Sequence, residues 1–97
     1  MILYHRTNAA AAILSEGFRD GGGTFLTTEW WTGVWLSNVP LDGNEGADGD
    51  TLLRLELPEQ MIADYEVIED GKPYREWLVP ARLINEKAGG LCVVEEE

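Results

Sequence analysis

Apolar residues fall in short blocks separated by glycine, proline and acidic residues, and each block predicts a short element. Met1-Ile2-Leu3-Tyr4 predicts an opening strand that delivers His5 at its end, within Ile2-Leu3-Tyr4-His5-Arg6-Thr7. Asn8 is placed to cap a helix over Ala9–Glu16, and Gly17 to stop it. Ala9–Ala12 are strong helix formers; Ile13 and Leu14 are assigned to the core face and Glu16 to water. Phe18 returns to the core. Asp20-Gly21-Gly22-Gly23 predicts a flexible break, Thr24–Thr28 a short strand and Glu29–Gly33 an aromatic-rich turn. Val34-Trp35-Leu36-Ser37 predicts a strand ended by Asn38 and Pro40, and residues 41–50 a mobile acidic loop.

In the second half, Thr51–Leu57 predicts a strand, partly alternating, that Pro58 ends. A turn or short helix follows through Ile62, then strands over Tyr65–Glu69 and Tyr74–Val79 joined by an Asp70-Gly71 turn. Leu83 and Ile84 are assigned to a continuation of the strand beyond Pro80, and Leu91–Glu95 to a last strand before a solvated acidic tail at 95–97. One early helix and a set of short strands linked by hairpin turns predict an α+β single domain over residues 1–97 with a mostly antiparallel sheet.

Composition narrows the function classes. A chain of 97 residues has room for one domain and a small core, built around four Trp, three Tyr and two Phe. No apolar run approaches the roughly 18–20 residues that span a bilayer, and no basic stretch precedes an apolar one at the start, so a cytoplasmic location is expected. Cys92 is the only cysteine; its apolar run, Leu91-Cys92-Val93-Val94, marks it as a buried hydrophobe. One histidine and one cysteine cannot supply the usual four ligands of a structural zinc site. A net charge of −11 argues against nucleic-acid and anionic-membrane partners. The seven cations, among them Arg6, Arg54, Arg75 and Arg82, are scattered.

Familiar motifs fail on their spacing. Asp42, Asn44, Gly46 and Asp48 do not make a calcium loop, because Ala47 stands at the glycine position and Leu53 at the closing glutamate. Neither Ser15 nor Ser37 lies in a nucleophile turn. Gly21–Gly23 follow a helix rather than a strand, with no Gly-Lys-Ser/Thr after them. His5 stands out as the chain's one side chain whose ordinary pKa lies near neutrality.

Three segments remain, in order: Leu3-Tyr4-His5-Arg6-Thr7 with the helix through Ile13-Leu14-Ser15-Glu16-Gly17-Phe18, then Gly33-Val34-Trp35-Leu36-Ser37, then Tyr74-Arg75-Glu76-Trp77-Leu78-Val79-Pro80. Together they resemble the ADP-ribosyltransferase fold family, distantly including the RNA 2′-phosphotransferases, over most of residues 2–84. The resemblance implies a strongly twisted or split sheet and NAD as a substrate. It implies that His5 hydrogen-bonds the nicotinamide-side ribose and that Thr7 shapes the first strand. Glu76 would hold the ribose 2′-hydroxyl and stabilise the oxocarbenium-like transition state, since developing positive charge favours a fixed carboxylate. Trp35 stands where many members have a stacking tyrosine, Ser37 closes that motif on the cofactor side, and Arg6 replaces a small glycine, as a phosphate contact or as an obstruction. Trp30 and Trp31 are candidates for the pocket wall.

Each role has a plainer alternative: Trp35 as a core aromatic, and Glu76 as an outward residue paired with Arg54 or Arg82. The expected function is cleavage of the nicotinamide–ribose bond with transfer of ADP-ribose to an unidentified acceptor, a protein among the candidates. The alternatives are a nucleotide- or protein-binding module without turnover and an acidic interaction protein. The RNA 2′-phosphotransferase branch ranks lower, because its histidine is missing from Val34–Ser37 and the charge opposes RNA.

Overall fold

A computed structural model describes residues 1–24, 30–41 and 49–95. Its sheet is built around β1 (Ile2–Thr7) and β4 (Thr51–Glu56), which pair antiparallel along their whole length, from Ile2 opposite Glu56 to Thr7 opposite Thr51. The other strands are β2 (Gly21–Thr24), β3 (Trp30–Ser37), β5 (Glu66–Val67), β6 (Glu76–Val79) and β7 (Gly89–Val94). Six strands follow one antiparallel path in the order β5-β6-β3-β1-β4-β7, and β2 pairs with the first half of β3. The helices are α1 (Ala10–Glu16), α2 (Glu59–Ile62), which runs into a 3-10 turn over Ala63–Tyr65, and α3 (Ala81–Lys87). The α+β class and the antiparallel sheet expected from the pattern are both present.

The two faces of the sheet are occupied differently. Leu3, Val34, Leu36, Leu53, Leu55, Trp77 and Val79 fill the main core on one face, against Ile13 and Phe18 from the α1 region and Ala81 and Ile84 from α3. Alternation puts Leu52 and Leu78 on the other face, where they are buried outside that cluster. Trp77 is fully buried and its Nε1 has no hydrogen-bond partner among the described residues. The Arg75 guanidinium covers its ring, 4.8 Å from the centroid.

Gly33 divides β3. Residues before it pair with β2, and Val34–Ser37 pair with β6. Its φ of 144° lies in the region that favours glycine, and a Cβ there would meet Leu78 Cγ and Val79 O, both at 3.1 Å.

Several elements depart from the sequence reading. β1 continues through Thr7, so His5 lies inside the strand rather than at its end. Asn8 does not cap α1: its Oδ1 accepts from the Asp50 N–H, while Thr7 Oγ1 accepts from the Ala9 N–H. Ile13 is buried but Leu14 is 48% exposed, because a seven-residue helix lying on a sheet buries a narrow stripe. Gly21–Gly23 form a strand, and Trp30–Gly33 extend β3 instead of turning, since pairing with each other satisfies both backbones.

Leu83 and Ile84 belong to α3, not to a prolonged strand. The Pro80 carbonyl accepts from the amides of both, which starts the helix. Cys92 is exposed, on the outer strand β7. The predicted strand at 24–28 beyond Thr24, most of the acidic loop (42–48) and the last two tail residues lie outside the described residues.

Candidate functional site

The site begins where β1 and β3 part. Their pairing is recorded at Tyr4 opposite Ser37. One residue further along β1, the His5 side chain occupies the space between the strands, and its Nδ1 lies 2.7 Å from the main-chain oxygen of Trp35. A carbonyl oxygen only accepts, so Nδ1 carries the proton and Nε2 remains as the acceptor. Burial pushes the His5 pKa below its ordinary 6.5, although the bond to Trp35 opposes the shift, so the ring is neutral at pH 7. The Phe18 ring meets the imidazole edge-on, with centroids 5.6 Å apart and planes at 71°.

Below α1 the parting opens into a largely apolar cavity of about 400 Å³. Thr7, Ile13, Phe18, Gly33 and Val34 line it together with His5. Glu16 and Arg19 also line it, loosely paired at 4.0 Å, and both side chains are mostly exposed. Two distant contacts fix its walls. Asn85 on α3 accepts from the Phe18 N–H at 2.7 Å and donates to the Phe18 carbonyl at 2.9 Å. Gly49, returning from the acidic loop, passes so close to Thr7 that a Cβ there would overlap the Thr7 backbone.

The residues singled out from the sequence separate into two groups. Tyr4 is opposite Ser37, and Ser37 is opposite Glu76, so these three project from one face of the sheet. Arg6 and Trp35 share that face by alternation. His5 and Thr7 project from the other. Trp35 meets the imidazole through its main-chain oxygen and is itself among the residues lining the cavity.

The second group is held by local bonds. Arg6 Nε donates to the Leu41 carbonyl at 2.6 Å. Ser37 is 5% exposed and its hydroxyl donates to the Val39 carbonyl. Glu76 accepts from Lys72 Nζ at 2.6 Å, and the same ammonium meets Glu69 at 2.9 Å. Burial disfavours the Lys72 ammonium, but hydrogen bonds to Glu76 and Glu69 outweigh it and leave its pKa above the ordinary lysine value. The partner of Glu76 is therefore Lys72, not Arg54 or Arg82, and Glu76 is not among the residues lining the His5 cavity.

Sequence reasoning missed Lys72 and Asn85, and it placed Phe18 in the core, where it is, without its contacts to His5 and Asn85. The Lys72-to-Glu76 spacing was visible, but the turn that folds one onto the other was not. Phe18 and Asn85 meet only through the tertiary placement of α3. Side chains of Trp30 and Trp31 lie outside the described set.

No family model, no curated protein and no solved structure matches the chain. Among the described residues no group of three His, Cys, Asp or Glu is placed to hold a metal ion, and no helix is long and apolar enough to cross a membrane.

Proposed function

We propose that the chain is a small ADP-ribosyltransferase-like domain that takes NAD at the parting of β1 and β3 and cleaves its nicotinamide–ribose bond. The observation that carries this reading is the neutral imidazole of His5, seated in the split and lining an apolar cavity of about 400 Å³. That volume lies within the range of small-molecule sites, roughly 300–1,000 Å³. A neutral ring with Nε2 free to accept suits a ribose hydroxyl, and apolar walls suit a planar heterocycle. Glu76 on β6 supplies the carboxylate that the developing cation requires. Its carboxylate projects from the face of the sheet opposite His5 and is tied to Lys72, so turnover requires β6 to rearrange as well as that tie to loosen.

A second reading, nucleotide binding without turnover, is favoured by one observation. The register directs Glu76 and His5 to opposite faces.

Incubation with NAD separates the two. Nicotinamide release by the wild type that disappears in both Glu76→Gln and His5→Ala supports the enzyme. Thermal stabilisation by NAD without release supports the binding module. If NAD gives neither effect while both variants melt like the wild type, the site is not a nucleotide site.

A further inference from the structure

The wall of the His5 cavity that follows α1 is held from outside the cavity. Gly17, Phe18 and Arg19 line it, and two side-chain ties join residues 17–20 to α3. Asp20 Oδ1 accepts from the Ala81 N–H at 2.8 Å, at the start of the helix. One turn further along, the Asn85 amide takes both polar groups of the Phe18 main chain, accepting from the N–H and donating to the carbonyl. It thereby replaces the pair of bonds that a neighbouring antiparallel strand would make, and it fixes the direction in which the Phe18 side chain leaves the backbone. Gly17 leaves room for this approach, since a Cβ there would lie 2.9 Å from Asn85 Oδ1. Ala81 and Ile84 supply the buried stripe of α3, whereas Asn85 is exposed. The core therefore does not depend on Asn85, and the effect of its two bonds falls on Phe18.

Phe18 in turn bears on His5. The imidazole is engaged on two sides, by the Trp35 carbonyl at Nδ1 and by the Phe18 ring edge-on. The carbonyl selects the tautomer, because it can only accept. The aromatic ring restricts rotation of the imidazole and keeps water from competing for the Trp35 oxygen. A Phe18 ring free to swing away would remove both effects at once.

We propose that Asn85 is a positioning residue for His5: by fixing Phe18 it holds the imidazole in the Nδ1–H form, with Nε2 unprotonated as the acceptor offered to a ligand. Asn85 is not among the residues lining the cavity, so it acts through Phe18. The proposal rests on reading the His5 cavity as the ligand site, but not on NAD as the ligand.

The test reads the imidazole directly in the full chain. His5 is the one histidine, so labelling histidine with nitrogen-15 gives a single pair of ring nitrogens. Long-range proton–nitrogen correlation spectra at about pH 8, above the ordinary imidazole range, show which of them carries the proton. The wild type is expected to show the Nδ1–H tautomer. Asn85→Ala is expected to lose that preference and give a mixture of tautomers, as in an imidazole surrounded by water. Asp20→Ala cuts the other tie to α3 and controls for a merely structural role: it is expected to lower the melting temperature and leave the tautomer in place. Should Asn85→Ala not fold, Asn85→Asp carries the test, because it keeps the acceptor for the Phe18 N–H and loses the donor to the carbonyl; the same loss of preference is expected. A wild-type tautomer in the folded Asn85 variant overturns the proposal. So does an Nε2–H tautomer in the wild type, or an equal change in Asp20→Ala, which would mean that any loosening of the wall releases the ring. Nicotinamide release from NAD, measured on the same samples, separates this proposal from the nucleotide reading. A tautomer change in Asn85→Ala with no release by the wild type retires NAD and keeps the role of Asn85. Release by the wild type with an unchanged tautomer in the variant keeps NAD and overturns that role.

Discussion

Burial governs how His5 behaves as an acid. Its pKa in the folded chain is lowered below 6.5, so between those two values the unfolded chain binds more protons than the folded one. Stability from this group is complete above pH 6.5 and declines as the pH falls through the folded pKa. Melting temperature is therefore expected to drop between pH 7 and pH 5 more steeply in the wild type than in His5→Gln, which keeps a donor for Trp35 but does not titrate. Parallel slopes in the two proteins would remove the argument. Other residues show what a linear pattern leaves out. Ile13 and Leu14 are adjacent and equally apolar, yet only one meets the sheet, because that depends on how α1 lies across it. Cys92 sits in an apolar run but on an outer strand with no described strand beyond it, so local composition gave the wrong burial.

Among the elements, β3 has the most demanding task. It serves β2 with one half and β6 with the other, and Gly33 makes the change of partner. Gly33→Val is expected to destabilise the fold by about 1–3 kcal/mol, because φ is unfavourable for a β-branched residue and the new side chain meets Leu78 and Val79. Chemical denaturation measures the cost; a change below about 0.5 kcal/mol would mean the strand tolerates the bend without glycine. This junction was not legible beforehand. Three consecutive glycines read as a break, and only the neighbouring backbone of β3 makes them a strand. α3 was missed for a related reason. Leu83 and Ile84 after Pro80 fit a kinked strand as well as a helix, and the deciding facts are the burial of Ala81 and Ile84 on one stripe and the Pro80 carbonyl at its start. The strands around His5, Val34–Ser37 and Glu76 were legible, since alternation and turn residues bound them on both sides. Their register, which separates His5 from Glu76, has no signature in a single sequence.

For the molecule as a whole, charge is the dominant surface property. A net charge of −11 on 97 residues acts against compaction through self-repulsion. The shortest ion pairs among the described residues, Arg75 with Glu59 and Glu66 and Lys72 with Glu69 and Glu76, are gathered in one region around β5 and β6. Added sodium chloride at about 0.5 M shortens the range of the repulsion, and the melting temperature is expected to rise by a few degrees. A fall under the same conditions would show that the local pairs outweigh the global field.

Asn85 grips both sides of the Phe18 peptide across 67 positions of sequence, and Phe18 leans on the imidazole that holds Trp35. Cavity wall and third helix are thus one mechanical assembly. A guest that shifts the Phe18 ring loads α3, and through Pro80 it loads the strand that begins at Glu76. Occupancy of the cleft is therefore expected to change the hydrogen-exchange protection of amides in α3, which contributes no residue to the cavity lining; protection that stays the same on binding would show that the two are not coupled.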